Sequence, residues 1–561
     1  MRSSRLPLWT ILLLAAAEAG AWTSPGSGAN YTPDDLVAAS GGALTGAWPV
    51  YTQNQPIVIS TGDSLRWPAG LRWTVAGNQE LRVRGVLRAL GTPWEPILVQ
   101  AQSGAPNSWT GLILDGAGTA GSLLRCVTLR GGDDGLNCLT SSPVVEYCSL
   151  AGNYSSGLSC FLTANPVLRH CLVEGNSRYG VEVTGGCSPV LEHCVIRGNN
   201  TEGASPRNAV SVGIQNTNSP RLVSCLLEGL GPANPASGFS LWMAGNPLLR
   251  DCEIRRFRSG VVIQGSGATG RLERCWVYNS RYSNPIQGGS GVNVNTSALP
   301  VFRACTLEDN DWGVTITSAC APDFGSAAQP GGNRLHRNGN GGAVWDFYNN
   351  TSSALQARGN WWGTTDAAQI ALHIHDAADG AYGLVSIDPI LTDSLFAPAL
   401  SPDLAFAALE AGATLALRPA DHFRPVPGLA FSLEGPGSTQ VDGDSLRWTS
   451  PLGPDTLLTL RLRAQSPQGL SSCDTLVVWL RPAQGLPAPH LAISKSGLGA
   501  QLSWSAVPGA AGYRLERCAD ATFPAEAVET LYQGSALAAV DAGIVIQPRF
   551  FYRVVALSTL P

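Results

Sequence analysis

Lysine is almost absent from this sequence: Lys495 is the single lysine among 36 basic residues. Charged residues make up 14% of the 561-residue chain, well below the usual quarter, and methionine occurs twice. The net charge of -5 is mild for this length. The composition therefore indicates neither nucleic acid nor an anionic membrane as a partner. A chain this long exceeds one compact core, so we expect two to four structural units.

Long apolar runs are also missing, except at the N-terminus. Arg2 and Arg5 precede LPLWTILLLAAA, and small-x-small cleavage sites follow at 17–19 and 19–21. This pattern predicts a signal peptide over residues 1–19, followed by a lead-in at 20–43. A buried helix is the alternative, since the run is too short for a membrane span. We expect a mature protein that is exported, either secreted or held at the cell surface.

A short phrase recurs along the first two thirds of the chain. NPVLRHCLVEGN (165–176) and SPVLEHCVIRGN (188–199) lie 23 residues apart and share Pro, Leu, His, Cys, Gly and Asn. The repeat period, 22 to 31 residues, is measured between successive cysteines at Cys126, Cys148, Cys171, Cys194, Cys225, Cys252, Cys275 and Cys305. Repeats of this size are typical of stacked units that bury their apolar faces against their neighbours.

Each repeat contains short β-strands. Apolar residues recur three positions before and two positions after each cysteine, and a second run such as GVEV (180–183) or GVTI (313–316) follows. These runs are β-branched and are bounded by Gly, Asn and Pro. One repeat therefore predicts one coil of a parallel β-helix, with adjacent coils about 4.8 Å apart and 12–14 coils in total.

The charges in the repeat alternate from coil to coil. Arg169 becomes Glu192 in the next repeat, and Glu174 becomes Arg197. Equivalent positions on adjacent coils are cross-strand neighbours, where opposite charges stabilise the pairing. We interpret these columns as structural ladders that also set the register.

The cysteine column predicts a structural ladder as well. Thiols on adjacent coils point the same way, whereas a disulfide needs Cβ atoms about 3.8 Å apart. We therefore expect the eight repeat cysteines to be free, inward-facing core residues. A ladder of one thiol per coil also lacks the converging ligands of a metal site.

These motifs resemble the secreted bacterial right-handed β-helix repeat proteins of the pectate-lyase-like superfamily. NPVLRHCLVEGN is similar to their recurrent Asn-Pro-x-Ile-x-x-Asn-x-Ile-x-x-Asn coil, with Cys here where Asn forms the inner ladder. IVISTGDSLRWPAG resembles their first coils, and GNWWGTTDAAQIALHIHDAADG resembles their closing Asn-x-Trp-Gly segment. The resemblance implies a right-handed parallel β-helix over residues 44–393. It does not imply one activity, since the fold hosts lyases, hydrolases, epimerases, adhesins and stalks.

The remaining sequence predicts two β-sandwich modules, which makes the chain all-β. Residues 397–483 alternate as strands of an Ig-like domain. Residues 485–561 resemble a fibronectin type III domain, with Trp504 and Tyr513 in LSWSAVPGAAGYRLERC. That family has one more strand after the strand of Tyr552, so its last strand is expected to be missing here.

Candidate catalytic residues are few. GGDDGLNC places Asp133 and Asp134 before a strand and faintly resembles the Gly-Asp-Asp of polygalacturonases, in which two carboxylates act as acid and base. The family's other elements are absent, and the two columns become Ser155 and Ser156, then Arg178 and Tyr179, so we expect no acidic cluster there. A polar turn is the alternative.

Three weaker candidates have structural alternatives. LEDNDWG carries Glu308, Asp309 and Asp311 near Arg303, although Glu308 belongs to a charge ladder. His373, His375 and Asp376 lie in a segment that reads as a capping helix beginning at Thr365. His170 and His193 are expected to stack outward on adjacent coils. No metal site is predicted.

Aromatic residues suggest a different function. Four of them, expected to be exposed on the C-terminal coils, are suited to stacking on sugar rings: Trp276, Tyr278, Tyr282 and Trp312. We therefore expect a monomeric, non-catalytic protein that binds extracellular glycans or surface proteins and needs no cofactor. The alternatives are a polysaccharide lyase or hydrolase on the β-helix flank, with Ca²⁺ if a lyase, and a passive stalk.

Overall fold

A computed structural model describes most of the chain after the N-terminal segment. The described residues are 20–204, 207–213, 217–283, 288–339, 345–392, 406–424, 427–451, 456–481, 489, 491–496, 499–507, 510–518, 528–541 and 551–557. The predicted signal peptide lies outside these residues. Within them, no helix is long and apolar enough to cross a membrane. Their helices are short: Pro33–Ala39, Ala367–Ala371 and the 3-10 turns Ala117–Thr119 and Pro419–Asp421.

Three long parallel sheets form a solenoid, which confirms the predicted β-helix architecture. Sheet A has 14 strands. They are Trp22–Thr23, Ile57–Ile59, Leu81–Val83, Leu112–Asp115, Asp134–Leu139, Ser156–Phe161, Tyr179–Val183, Val210–Val212, Ser237–Leu241, Ser259–Gln264, Ser290–Asn295, Trp312–Thr317, Phe347–Asn350 and Ile374–His375.

Sheet B has 11 strands. They are Asn30–Tyr31, Ser64–Trp67, Val86–Leu90, Leu123–Arg125, Val144–Glu146, Val167–Arg169, Val190–Glu192, Arg221–Val223, Leu248–Arg250, Arg271–Glu273 and Val301–Arg303. Sheet C has 13 strands and begins with an antiparallel pair. They are Leu44–Ala47, Val50–Gln53, Arg72–Val75, Ile97–Ala101, Val127–Arg130, Ser149–Ala151, Leu172–Glu174, Val195–Arg197, Leu226–Glu228, Glu253–Arg255, Trp276–Tyr278, Thr306–Glu308 and Arg334–His336.

The repeat cysteines lie at the corner between sheets B and C. All eight are buried, and all fourteen cysteines of the chain are free thiols. The Cys171 Sγ donates to the carbonyl oxygen of Val145 on the preceding coil, 3.4 Å away. The residue before the cysteine takes a left-handed conformation in most coils, with φ of 52° at both His170 and His193. This conformation turns the chain sharply between the two strands.

A buried asparagine ladder lines a second corner of the solenoid. The sequence predicted an inner ladder only at the cysteine positions. Asn176 donates from Nδ2 to the Leu150 carbonyl, 3.1 Å away, and its Oδ1 accepts from the Asn153 backbone N–H at 2.9 Å. Asn199 continues the ladder. The adjacent sheet A position is glycine, because a Cβ at Gly157 would lie 2.8 Å from Asn176 Nδ2. The ladder satisfies backbone groups that water cannot reach.

The predicted charge ladders are confirmed. Arg169 and Glu192 are register partners in sheet B, and Arg169 Nε lies 2.9 Å from Glu192 Oε2. In sheet C, Arg197 Nε lies 2.9 Å from Glu174 Oε2. These side chains are partly exposed, so each pair contributes at most about 1 kcal/mol and serves register as much as stability.

The end of the solenoid corrects one prediction. Asp366, and not Thr365, caps the helix, which ends at Ala371, and His375 lies on a strand. The side chain of Asp366 accepts from the backbone N–H groups of Ala368 and Gln369. A small parallel pair, Leu355–Gln356 with Val385–Ser386, accompanies this end.

The chain divides into two compact units. The first holds the solenoid and the segments Leu415–Trp448 and Leu457–Trp479, and the second holds Leu409–Thr414, Thr449–Thr456 and Leu480–Pro561. The C-terminal strands are Phe406–Glu410, Thr414–Leu417, Ala430–Glu434, Ser438–Asp442, Ser445–Thr449, Thr456–Gln465, Ser471–Arg481, Leu491–Ser496, Gly499–Trp504, Gly512–Cys518, Glu529–Gly534, Ala538–Asp541 and Phe551–Leu557. Sheets are therefore present in both predicted modules, and their Ig-like and fibronectin type III identities stay predictions.

Candidate functional site

Asp134 opens a sheet A strand and lies beside polar residues of the next two coils. Its register partner is Ser156, whose own partner is Tyr179. Three residues further along, Asn137, Ser159 and Glu182 form a second column. This second column alternates with buried apolar residues, so its side chains face away from the core.

Three carboxyl groups interact on this outer face. The pKa of Asp134 is raised to about 8, mainly by burial and then by the charge of Asp133, with a smaller effect of Glu182 and opposing effects of the Ser159 and Ser156 hydroxyls. Burial also raises the pKa of Glu182, against the opposing effect of Arg207. The column of Asp134 itself adds no carboxyl group on the next two coils, as expected. Glu182 joins Asp133 and Asp134 from the column of Asn137, which the sequence comparison of equivalent positions did not include.

Several buried polar atoms of this cluster have no hydrogen-bond partner. They are Asp134 Oδ1, Asn137 Oδ1, Ser159 Oγ and Arg207 Nε. Asp134 Oδ2 accepts from Asn137 Nδ2 at 3.1 Å, and the hydroxyl groups of Ser159 and Ser156 also stabilise the charged form of this carboxyl. An unsatisfied buried polar atom costs about 1–3 kcal/mol, and several together are typical of a site that another molecule completes.

Two tyrosine–arginine pairs border the cluster on adjacent coils. Arg178 donates to the Tyr154 hydroxyl at 2.6 Å, and its guanidinium carbon lies 4.3 Å from the centre of that ring. Arg207 donates to the Tyr179 hydroxyl at 2.6 Å and lies 5.1 Å from its ring. We define the Asp134 cluster as Asp133, Asp134, Asn137, Tyr154, Ser156, Ser159, Arg178, Tyr179, Glu182 and Arg207. The cluster combines hydrogen-bond donors and acceptors with half-buried aromatic rings.

The four aromatic residues predicted to bind glycans do not form one surface. Trp276 and Tyr278 stack on each other in sheet C, 4.0 Å apart, while Trp312 lies in sheet A and contacts Tyr348. Tyr282 lies between these strands and pairs with Arg258 at 4.8 Å. Their role in glycan binding stays a prediction.

Trp276 is not exposed, contrary to expectation. Its Nε1 donates to Glu308 at 2.9 Å, and only 9% of the residue is accessible. Arg424 binds Glu308 through two hydrogen bonds of 2.6 and 2.8 Å and lies 6.0 Å from the Trp276 ring. Tyr278 donates its hydroxyl to Glu253 at 2.6 Å. These contacts hold both rings in a packed interface.

The other acidic candidates are held by arginines, and Glu308 and Asp309 share Arg337. Asp309 binds Arg337 at 2.7 Å, and Asp311 binds Arg281 at 3.0 Å. Arg303 pairs with Asp323.

Two histidine candidates are each paired with one aspartate. His373 lies 3.1 Å from Asp346 and His375 lies 3.5 Å from Asp379, while Asp376 accepts from the Val385 backbone. Among the described residues, no group of three His, Cys, Asp or Glu side chains is placed to hold a metal ion.

The chain is distantly similar to several solved structures. No curated protein matches the sequence. The periplasmic alginate epimerase AlgG is similar at 13% identity over 65% of this chain and 81% of that chain, with a TM-score of 0.34. An alginate lyase from Paenibacillus sp. str. FPU-7 is 14% identical over 54% of this chain and 92% of its own, with a TM-score of 0.26. The gp42 tailspike of an Acinetobacter phage is 9% identical over 80% and 82%, with a TM-score of 0.28.

At such low identities these activities do not transfer to this chain. The family described as "Right handed beta helix region" matches residues 107–225 and 206–356. Both matches fall within the solenoid and contain its cysteine and asparagine ladders. The solenoid of this chain is therefore a right-handed β-helix.

Proposed function

We propose that this protein binds a glycan at the Asp134 cluster, on the outer face of sheet A. The observation that carries the proposal is the column of polar side chains Asn137, Ser159 and Glu182 on this face, in which Asn137 Oδ1 and the nearby Arg207 Nε have no hydrogen-bond partner. Sugar hydroxyls both donate and accept hydrogen bonds, so one ring satisfies several such atoms at once. Tyr154 and Tyr179 supply half-buried rings next to them, a combination typical of ligand sites.

Export accompanies this proposal. The basic and apolar segment at residues 1–19 is typical of a signal peptide, and a glycan-binding surface is of use where glycans are found. On the basis of this segment we propose that the protein is secreted or displayed on the cell surface. A monomeric state is a separate part of the proposal. An N-terminal sequence of the secreted protein beginning near residue 20 is the expected result in an export assay.

A second candidate function is acid–base catalysis on the same glycan. It is favoured by the pKa of Asp134, about 8, because this carboxyl keeps its proton at neutral pH and is then able to donate it. Asp133, whose pKa is also raised by burial, is the candidate base. The pair fits the general requirement of glycoside hydrolysis for one acid and one further carboxyl group.

Affinity electrophoresis of the purified chain in gels with soluble acidic or neutral polysaccharides tests the binding proposal. Tyr154→Ala is expected to weaken the affinity for the polysaccharide roughly tenfold, which is measured as reduced retardation, since aromatic residues dominate such contacts. Trp48→Ala is the control, because Trp48 is an aromatic residue with 52% exposure that lies outside the cluster. Equal effects of both variants, or no retardation by any polymer, would contradict the proposal.

The same polysaccharides distinguish binding from catalysis. New reducing or unsaturated ends that disappear in Asp134→Asn would establish the second candidate. A calcium requirement, tested with a chelator, would indicate a lyase. If polysaccharides retard the chain but no new ends form from any of them, binding without catalysis is the remaining function.

A further inference from the structure

Aromatic rings gather on the outer face of sheet A at its C-terminal end. We define the aromatic cluster as Trp345, Tyr348, His375 and Tyr382. Tyr348 and His375 are register partners on adjacent strands, and their rings stack 4.3 Å apart at 9°. Trp345 meets both rings edge-on, at 5.8 and 5.3 Å. Tyr382 lies 4.5 Å from His375, so the four rings form one contiguous group.

Each ring is partly accessible to solvent. All four residues are of intermediate burial, neither enclosed in the core nor fully exposed. The stacked pair uses one face of Tyr348 and one of His375, whereas Trp345 and Tyr382 approach this pair at angles of 56° or more. Their own faces are therefore not consumed by parallel stacking within the cluster.

Polar side chains lead to the aromatic cluster along the same column of sheet A. Asn293, Thr315, Tyr348 and His375 occupy equivalent positions on successive strands. Asn293 and Thr315 are partly exposed. The His375 Nδ1 faces Asp379 at 3.5 Å, and its Nε2 is buried without a hydrogen-bond partner.

The charge near the aromatic cluster is negative. Asp379 faces His375, and burial together with the charges of Tyr382 and Asp379 raises the pKa of Tyr348. Asp346, behind the cluster, is paired with His373. The carboxylate of Asp379 disfavours a carboxylated glycan here. Electrostatics thus favours a neutral glycan at the aromatic cluster.

We infer that the aromatic cluster is a second glycan site, which binds a pyranose unit of a neutral glycan against Trp345 and Tyr382. The apolar C–H face of the sugar packs on a ring, and its hydroxyls reach Asn293 and Thr315. The inference rests on the proposed function only in that the ligand is a glycan. It adds a second site with its own ligand class, separated from the Asp134 cluster by the strands between Tyr179–Val183 and Phe347–Asn350.

Calorimetric titration of the full chain with cellohexaose, laminarihexaose and hexagalacturonate tests the inference. Trp345→Ala and Tyr382→Ala are expected to weaken binding of a neutral hexasaccharide roughly tenfold or more, while Trp345→Phe retains most of it. Trp48→Ala is the matched control, since Trp48 is 52% exposed at the opposite end of the solenoid. Melting temperatures of all variants check that each still folds.

The outcomes separate the two proposals. Neutral binding that is unchanged in both Trp345→Ala and Tyr382→Ala overturns the second site and leaves the Asp134 cluster standing. Loss of hexagalacturonate binding in Tyr154→Ala, with neutral binding intact, supports two sites. Absence of neutral binding overturns the inference even where acidic glycans bind, and absence of all binding overturns both proposals.

Discussion

The imidazole rings of His170 and His193 stack face to face on adjacent coils, with centroids 5.0 Å apart and planes 8° apart. Tyr147 extends the stack on the preceding coil, 5.2 Å from His170. Both Nδ1 atoms are buried without a hydrogen-bond partner. A protonated pair would place two like charges in contact, so the stack requires neutral rings.

Stability is therefore expected to fall in mild acid. Burial lowers the pKa of His170 to about 4, with a further effect of His193, and burial also lowers the pKa of His193. Unfolded histidine takes up its proton near pH 6.5, so between these values the unfolded state binds more protons and stability decreases as the pH is lowered.

The effect of His170 is testable by thermal unfolding at pH 7 and pH 5. His170→Phe is expected to recover roughly 1–2 kcal/mol at pH 5, because phenylalanine keeps the stack without titrating. His373→Gln, outside the stack, is the control. An equal acid sensitivity in wild type and His170→Phe would contradict the assignment.

Asp134 has the opposite dependence on pH. Its pKa is about 8 in the folded chain and near 4 when unfolded, so between these values the folded state holds the extra proton. Stability then falls as pH rises through this window. Asp134→Asn is expected to raise the free energy of unfolding by about 1–3 kcal/mol at pH 8 and to change little at pH 4. Asp442→Asn, at an exposed ion pair, should show neither effect in the same denaturant titrations.

The buried ion pair of Glu308 is expected to be costly to break. Arg424 and Arg337 hold the pKa of Glu308 below its usual value despite burial. Arg424→Met leaves a carboxylate with 2% side-chain exposure short of two hydrogen bonds, so we expect a loss of about 2–4 kcal/mol. Arg447→Met removes an exposed pair and should cost less than about 1 kcal/mol. If chemical denaturation shows similar losses of unfolding free energy for Arg424→Met and Arg447→Met, the surroundings of Glu308 are not buried in solution.

The cysteine ladder is expected to be chemically inert. Burial raises the pKa of Cys171 and Cys194 well above the usual value, and thiolate is the reactive form. Cys473 is the one exposed thiol of the fourteen. A thiol reagent at pH 8 should modify only Cys473 in the native chain and all fourteen after denaturation, as counted by mass spectrometry. Rapid native modification of several thiols would mean that the coils open readily.

Part of the candidate site was readable in the repeat. Asp133 and Asp134 stand out because they replace ordinary turn residues before a strand. Glu182 was missed because it belongs to another column, three residues further along its strand. Only the fold shows that both columns face the same way and that Ser156 lies within hydrogen-bonding distance of Glu182, 3.5 Å apart.

The sequence by itself determined the solenoid, because each coil repeats the same apolar positions and neighbouring coils pair in register. It determined the charge ladders for the same reason, since equivalent positions on adjacent coils always meet. Tertiary structure alone decided which outer side chains are accessible. Trp276 is buried because Arg424 reaches Glu308 from 116 residues further along the chain. A periodic pattern specifies contacts between neighbouring coils, whereas burial of an outer face depends on segments outside the period.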